Sequence, residues 1–130
     1  MIVVDTNLLV GAVISGDAAS LAALDRDPAW TAPPLWRSEF LNVLAGYMRT
    51  QGLSAADASR ALNEAWLLVE AEPAPNATEV LDLVTQSRCS AYDLEFVALA
   101  IGLGVPLVTN DRQVLEAFPG VAISPEAFAP

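Results

Sequence analysis

Hydrophobic and polar positions along this chain switch repeatedly between the period of a strand and that of a helix. Ile2-Val3-Val4 is a β-branched run that stops at Asp5-Thr6-Asn7, as a strand entering a loop would. Leu8 to Ile14 predicts a short helix, and Asp17 can cap a second helix to about Arg26, where Asp27-Pro28 ends it. Trp30-Thr31-Ala32 fits a brief strand. Pro33-Pro34 then opens a long helix to about Thr50, apolar at 35, 40, 41, 43, 44, 47 and 48, before Gln51-Gly52 breaks it. Ser54 and Asp57 have capping-box spacing and predict a helix to about Glu70. Glu72-Pro73-Ala74-Pro75 reads as a stiff turn.

Asn76 with Glu79 predicts a helix to about Arg88, and Ser90 another to Leu103, which Gly102 and Gly104 end. Pro106-Leu107-Val108 is a second clear strand, again feeding polar residues, Thr109-Asn110-Asp111. A short helix to about Phe118 and a strand at Val121-Ala122-Ile123 follow. Strands alternating with helices, without repeat or linker, predict a single α/β domain over 1–130. Its small central parallel sheet is flanked by helices.

Two predicted strands thus end in carboxylates, and in open α/β sheets ligands bind beyond the carboxyl ends of the strands. Asp5 and Asp111 should both reach that rim, although each also fits as a helix N-cap. Glu39 shares a helix stripe with Leu35 and Val43, four residues to either side, with Phe40 and Leu44 flanking it. An unpaired carboxylate buried there costs several kcal/mol, so Glu39 needs a cation or a proton unless it reaches water or an arginine. Asp93 shares a face with Phe96, Val97 and Ala100, while Glu95 points elsewhere. Ser90 to Asp93 is also a capping-box spacing.

Composition narrows what these acids can do. The 130 residues carry 16 Asp+Glu against 6 Lys+Arg and no His, a net charge of −10. All six cations are arginines, at 26, 37, 49, 60, 88 and 112. Without His or Lys the chain alone cannot supply a Ser-His-Asp triad, a His-ligated zinc site, a P-loop lysine or a Schiff base. The lone Cys89 excludes an internal disulfide and a multi-cysteine metal site. The longest near-apolar run, Phe96 to Val105, falls short of the ~18 residues of a membrane span. No cation precedes Arg26, so the basic flank of a secretory signal is missing, and a soluble cytoplasmic protein is expected. If the four acids converge, the counter-charge to expect is an oxygen-liganded Mg²⁺ or Mn²⁺. Such a site suits phosphodiester hydrolysis, with one metal or with two ~3.5–4 Å apart.

Four stretches carry a resemblance: Ile2-Val-Val-Asp-Thr-Asn7, Trp36-Arg-Ser-Glu-Phe-Leu-Asn-Val-Leu44, Ser90-Ala-Tyr-Asp-Leu-Glu-Phe-Val-Ala-Leu-Ala100 and Leu107-Val-Thr-Asn-Asp111. In order and spacing they resemble the PIN domain, and within it the VapC-type toxins of type II toxin–antitoxin modules. The resemblance implies a PIN-like α/β sandwich and Mg²⁺- or Mn²⁺-dependent endoribonuclease activity. Asp5, Glu39, Asp93 and Asp111 would be the catalytic, metal-binding acids, with Thr6, Asn7 and Thr109 in support. It also implies a homodimer and a cognate antitoxin, whose basic or Arg-bearing segment would suit the acidic active-site groove. The charge runs against RNA, since nucleic-acid-binding domains are usually basic. Arg112 and, less favourably placed, Arg37 are the candidates for phosphate contact. Haloacid-dehalogenase-like phosphatases and response-regulator receivers share only the opening Asp and usually need a lysine. The other alternative is a non-catalytic PIN-like module that binds a partner or a metal.

Overall fold

A computed structural model describes residues 1–130. Strand β1 (Ile2–Val4) is buried at every position and lies in the middle of a five-stranded sheet. On one side come β2 (Trp30–Thr31) and β3 (Val69–Ala71), on the other β4 (Leu107–Val108) and β5 (Ala122–Ile123), giving the order β3-β2-β1-β4-β5. Every pairing is parallel. Parallel strands need crossovers and are covered on both faces, which is why β1 reads as an unbroken apolar run. The chain leaves β1 for one side of the sheet and later returns to its other side, so strand order reverses between β1 and β4.

Helix α1 (Thr6–Val10) follows β1 and continues as a π-helical turn over Gly11–Ser15, a refinement of the single helix expected there. Gly11 is needed in that turn, because a Cβ would stand 2.2 Å from Ser20 Oγ on α2 (Ala18–Arg26). Helix α3 (Trp36–Gln51) begins after a turn through Pro33-Pro34 and ends at Gly52, in the left-handed region at φ +69°. Helix α4 (Ala55–Leu68) and α5 (Ala77–Val84) are capped by Ser54 and Asn76, whose side chains accept from the N–H groups of Asp57 and Glu79. Ser90 caps α6 (Ala91–Leu103) in the same way through the N–H of Asp93. Helix α7 (Arg112–Ala117) and α8 (Pro125–Phe128) complete the layers.

Three expectations need correction. The helix after Ser54 stops at Leu68, not Glu70, and the chain straightens into β3 beside Trp30–Thr31. The helix after Asn76 ends at Val84, four residues before Arg88, in a turn where Thr85 Oγ1 donates to the Asp82 carbonyl. Ser124-Pro125 starts a last short helix that the pattern left as coil.

The core joins both faces of the sheet, with Trp30, Trp36, Phe40, Leu94, Val97, Leu107 and Val108 among its buried side chains. Helix α6 is buried from Phe96 to Ala100 without a gap, the mark of a central helix packed on all sides. No single helix is long and apolar enough to cross a membrane.

Candidate active site

The register of the two central strands sets the site. Val4 pairs with Val108, so the residues that follow, Asp5 and Thr109, leave the sheet side by side. The Asp5 N–H donates to the Val108 carbonyl at 3.4 Å. Thr109, 1% exposed, donates from Oγ1 to Asp5 Oδ2 at 2.5 Å and accepts from the N–H of Asp111 at 3.0 Å. One hydroxyl therefore ties the first acid to the last across 104 residues of chain. This is the point where strand order reverses, the position at which open α/β sheets hold their ligands.

Capping and site-facing roles coexist. Asp5 caps α1 with Oδ1, accepting from the Leu8 N–H at 2.9 Å, and turns Oδ2 to Thr109. Asp111 caps α7 with Oδ1, accepting from the Val114 N–H at 3.1 Å. Glu39, half-buried in the first turn of α3, accepts from Thr6 Oγ1 at 2.7 Å. Asp93 enters from the first turn of α6. All four line one cleft of about 240 Å³, with Thr6, Asn7, Asn42 and Thr109 as its other polar walls and Val43, Phe96, Leu107 and Val114 among its apolar ones.

The acids are close enough for each to act on its neighbours' charge. Burial pushes the Asp5 carboxyl up to about 6, despite the hydrogen bonds from Thr109 and Leu8 that favour its anion, and Asp111 and Glu39 add to the rise. Burial also raises Glu39, against the pull of Thr6, with repulsion from Asp93 and Glu95 on top. Asp93 is raised by burial and by Asp111, partly offset by Ser90. The repulsions close a ring: Asp5 to Glu39, Glu39 to Asp93, Asp93 to Asp111, Asp111 to Asp5. Glu95 faces the neighbouring groove, as its helix position predicts, yet its charge reaches Glu39.

No cationic side chain answers the ring. The ion pairs of the molecule are Arg37–Glu72, Arg60–Asp57 and the Met1 α-amino group with Asp27, all apart from the four acids. Arg37 is taken up by Glu72, to which it donates from Nε and Nη2, and its guanidinium lies 4.2 Å from the centre of the Trp66 ring. It does not line the cleft, contrary to its candidacy for phosphate contact. Arg112 is exposed beside Asp111 with no ion-pair partner. The acids are not drawn around a single point as a finished ligand set. An all-oxygen cleft of this kind fits a hydrated Mg²⁺ or Mn²⁺, since Mg²⁺ needs only one or two carboxylates and keeps several waters. Asn42, three residues after Glu39 on the same helix, is the wall residue that the sequence reading passed over. The i,i+3 spacing could have found it.

Residues 2–120 match the PIN domain family. The chain is 35% identical over 117 residues to VapC ribonuclease Mb0985 of Mycobacterium bovis, covering 88% of each. Its fold superposes on the crystal structure of PAE2754 from Pyrobaculum aerophilum with a TM-score of 0.78 and 26% identity, over 96% of this chain and 90% of that one. A toxin–antitoxin complex from Klebsiella pneumoniae shares the fold, with a TM-score of 0.70 at 18% identity over 96% and 98% of the two chains. The family match, the curated relative and the shared fold agree: the chain belongs to the PIN domain family, among the VapC ribonucleases.

Proposed function

We propose that this protein is a Mg²⁺- or Mn²⁺-dependent endoribonuclease, the toxin of a toxin–antitoxin module, acting at the cleft of Asp5, Glu39, Asp93 and Asp111. The observation that carries the reading is the convergence of four carboxylates on one cleft whose lining holds no cationic side chain. Asp5, Glu39, Asp93 and Asp111 would hold the metal. When bound, a divalent ion supplies Lewis-acid polarisation of the scissile phosphate and activation of water.

The chain's own contribution is orientation. Thr109 fixes the rotation of the Asp5 carboxylate and, through the Asp111 N–H, the start of α7. Thr6 does the same for Glu39. These outer hydrogen bonds set which carboxylate lone pairs face the cleft. Asn7, exposed at the wall, offers a neutral amide to a phosphate oxygen, and Arg112 offers a charge at the rim. Outside the cleft, the acidic surface suits a cognate antitoxin with a basic or Arg-bearing segment, and the working form is a homodimer.

The test is cleavage of a panel of structured RNAs with Mn²⁺ or Mg²⁺, and with EDTA. Asp5→Asn and Asp93→Asn each lose at least about a hundredfold in rate, in line with removal of a group that acts on the transition state, while circular dichroism stays that of the parent. Glu39→Gln serves as a third control. Cleavage that survives EDTA, or full activity in the Asp5 and Asp93 variants, overturns the assignment. Absence of cleavage alongside tight binding of a basic peptide would favour a non-catalytic partner-binding module.

A further inference from the structure

The one strong polar cluster outside the cleft sits on the same rim, where β3 ends. Glu72, the residue after β3, accepts three N–H groups from the first turn of α3: Trp36 Nε1, Arg37 Nε and Arg37 Nη2. The Arg37 guanidinium is stacked on Trp66 of α4, and the rings of Trp36 and Trp66 meet edge to face with centroids 5.8 Å apart. Trp36 is fully buried and Glu72 only 18% exposed, while the Arg37 side chain and Trp66 lie partly open to solvent, so the cluster runs from the core to the surface. Helix α3 has no side-chain N-cap; Leu35 stands at that position and offers none. Two residues beyond Arg37, the same turn carries Glu39 toward three other carboxylates, against which the only hydrogen bond to its side chain is the one from Thr6.

We propose that Glu72 is a positioning residue for Glu39: by gripping the side chains of Trp36 and Arg37 it holds the first turn of α3, whose backbone N–H groups already donate to the carbonyls of Pro33, Pro34 and Leu35, against the repulsion of the acidic cleft. A bidentate arginine–carboxylate pair fixes direction as well as distance, and the face of Trp66 gives the guanidinium a second surface to lie on. The grip acts on the metal-binding acid without touching the cleft. It rests on the metal-site reading above.

Mn²⁺ uptake by the purified full chain, followed by the electron paramagnetic resonance of free Mn²⁺, tests it without any substrate. Glu72→Gln and Arg37→Ala each raise the half-saturating Mn²⁺ concentration about tenfold, the lower end of what loss of an outer partner does to a metal site, and the double variant raises it no further than either alone. Asp57→Asn, which breaks the exposed Arg60–Asp57 pair on α4, leaves it unchanged. Arg37→Lys keeps the charge and loses the two-pronged grip. It shows the same direction of change and stands in should Glu72→Gln fail to fold. Wild-type uptake with unmoved Glu72 and Arg37 variants overturns this inference alone. No uptake by the wild type overturns the metal-site reading, and the inference with it.

Discussion

Asp5 performs two tasks with one carboxylate, and the second has a thermodynamic consequence. Its Oδ1 closes the first turn of α1, while its Oδ2 is held by Thr109 at the foot of the cleft. Burial there lifts its pKa to about 6, against roughly 3.9 for an unfolded chain. The folded state therefore holds the proton more tightly, so this residue favours folding most below about pH 4 and loses that advantage as pH rises through 6. The two limits differ by about 3 kcal/mol at roughly 1.36 kcal/mol per unit. Glu39 and Asp93, raised by the same cause, act in the same direction. Asp27 and Glu72 are lowered by their partners and act the opposite way, but in a lower pH range. Without divalent ions the melting temperature should be higher at pH 5 than at pH 7.5, and Asp5→Asn should remove much of that difference. Thermal unfolding across this range checks it; equal pH slopes for the two proteins would refute the role given to Asp5.

At the scale of elements, the sequence was most legible where a local signal coincided with a tertiary need. β1 and β4 announced themselves as apolar runs ending in polar triplets, and the serine and asparagine caps placed the starts of α4, α5 and α6. The missed strand β3 shows the opposite case. Leu68-Val69-Glu70-Ala71 continues the periodicity of α4, and nothing local ends the helix; the chain turns extended because Trp30 offers an open strand edge, 39 positions earlier in sequence. Glu72 looked like part of a proline-rich turn for a related reason, since its partners lie 35 and 36 residues away. The four acids could each be suspected singly, but their meeting depended on the β1–β4 register, which no short window contains. Gly11 offers a test at this scale. Gly11→Ala places a methyl group against Ser20, so it should destabilise the fold by about 1–3 kcal/mol, as overpacking does, and Ser20→Ala in the same chain should recover part of that. Denaturant unfolding measures both.

For the molecule as a whole, the net charge of −10 bears on how a polyanion reaches the cleft. A protein that binds nucleic acid through many basic contacts loses roughly 10³–10⁵ in affinity between 50 and 200 mM salt. Here the arginine nearest the cleft that remains uncommitted is Arg112, so the KM for RNA at fixed Mn²⁺ should change by less than about tenfold over that range. A steep rise in KM would point to a basic surface that this fold does not display. The bond from Thr109 to Asp5 also sets a schedule. Its partners are 104 residues apart, and β4 can join β1 only after both have been made. At about 5–20 residues per second, a ribosome needs roughly 5–20 s to pass from one to the other. Through that interval the first acid has neither its hydroxyl partner nor the fourth carboxylate beside it, and the cleft does not yet exist. On the proposed assignment a chain still being synthesised has no site with which to cleave RNA, and a partner that restrains the finished protein has until the last strands emerge to be in place.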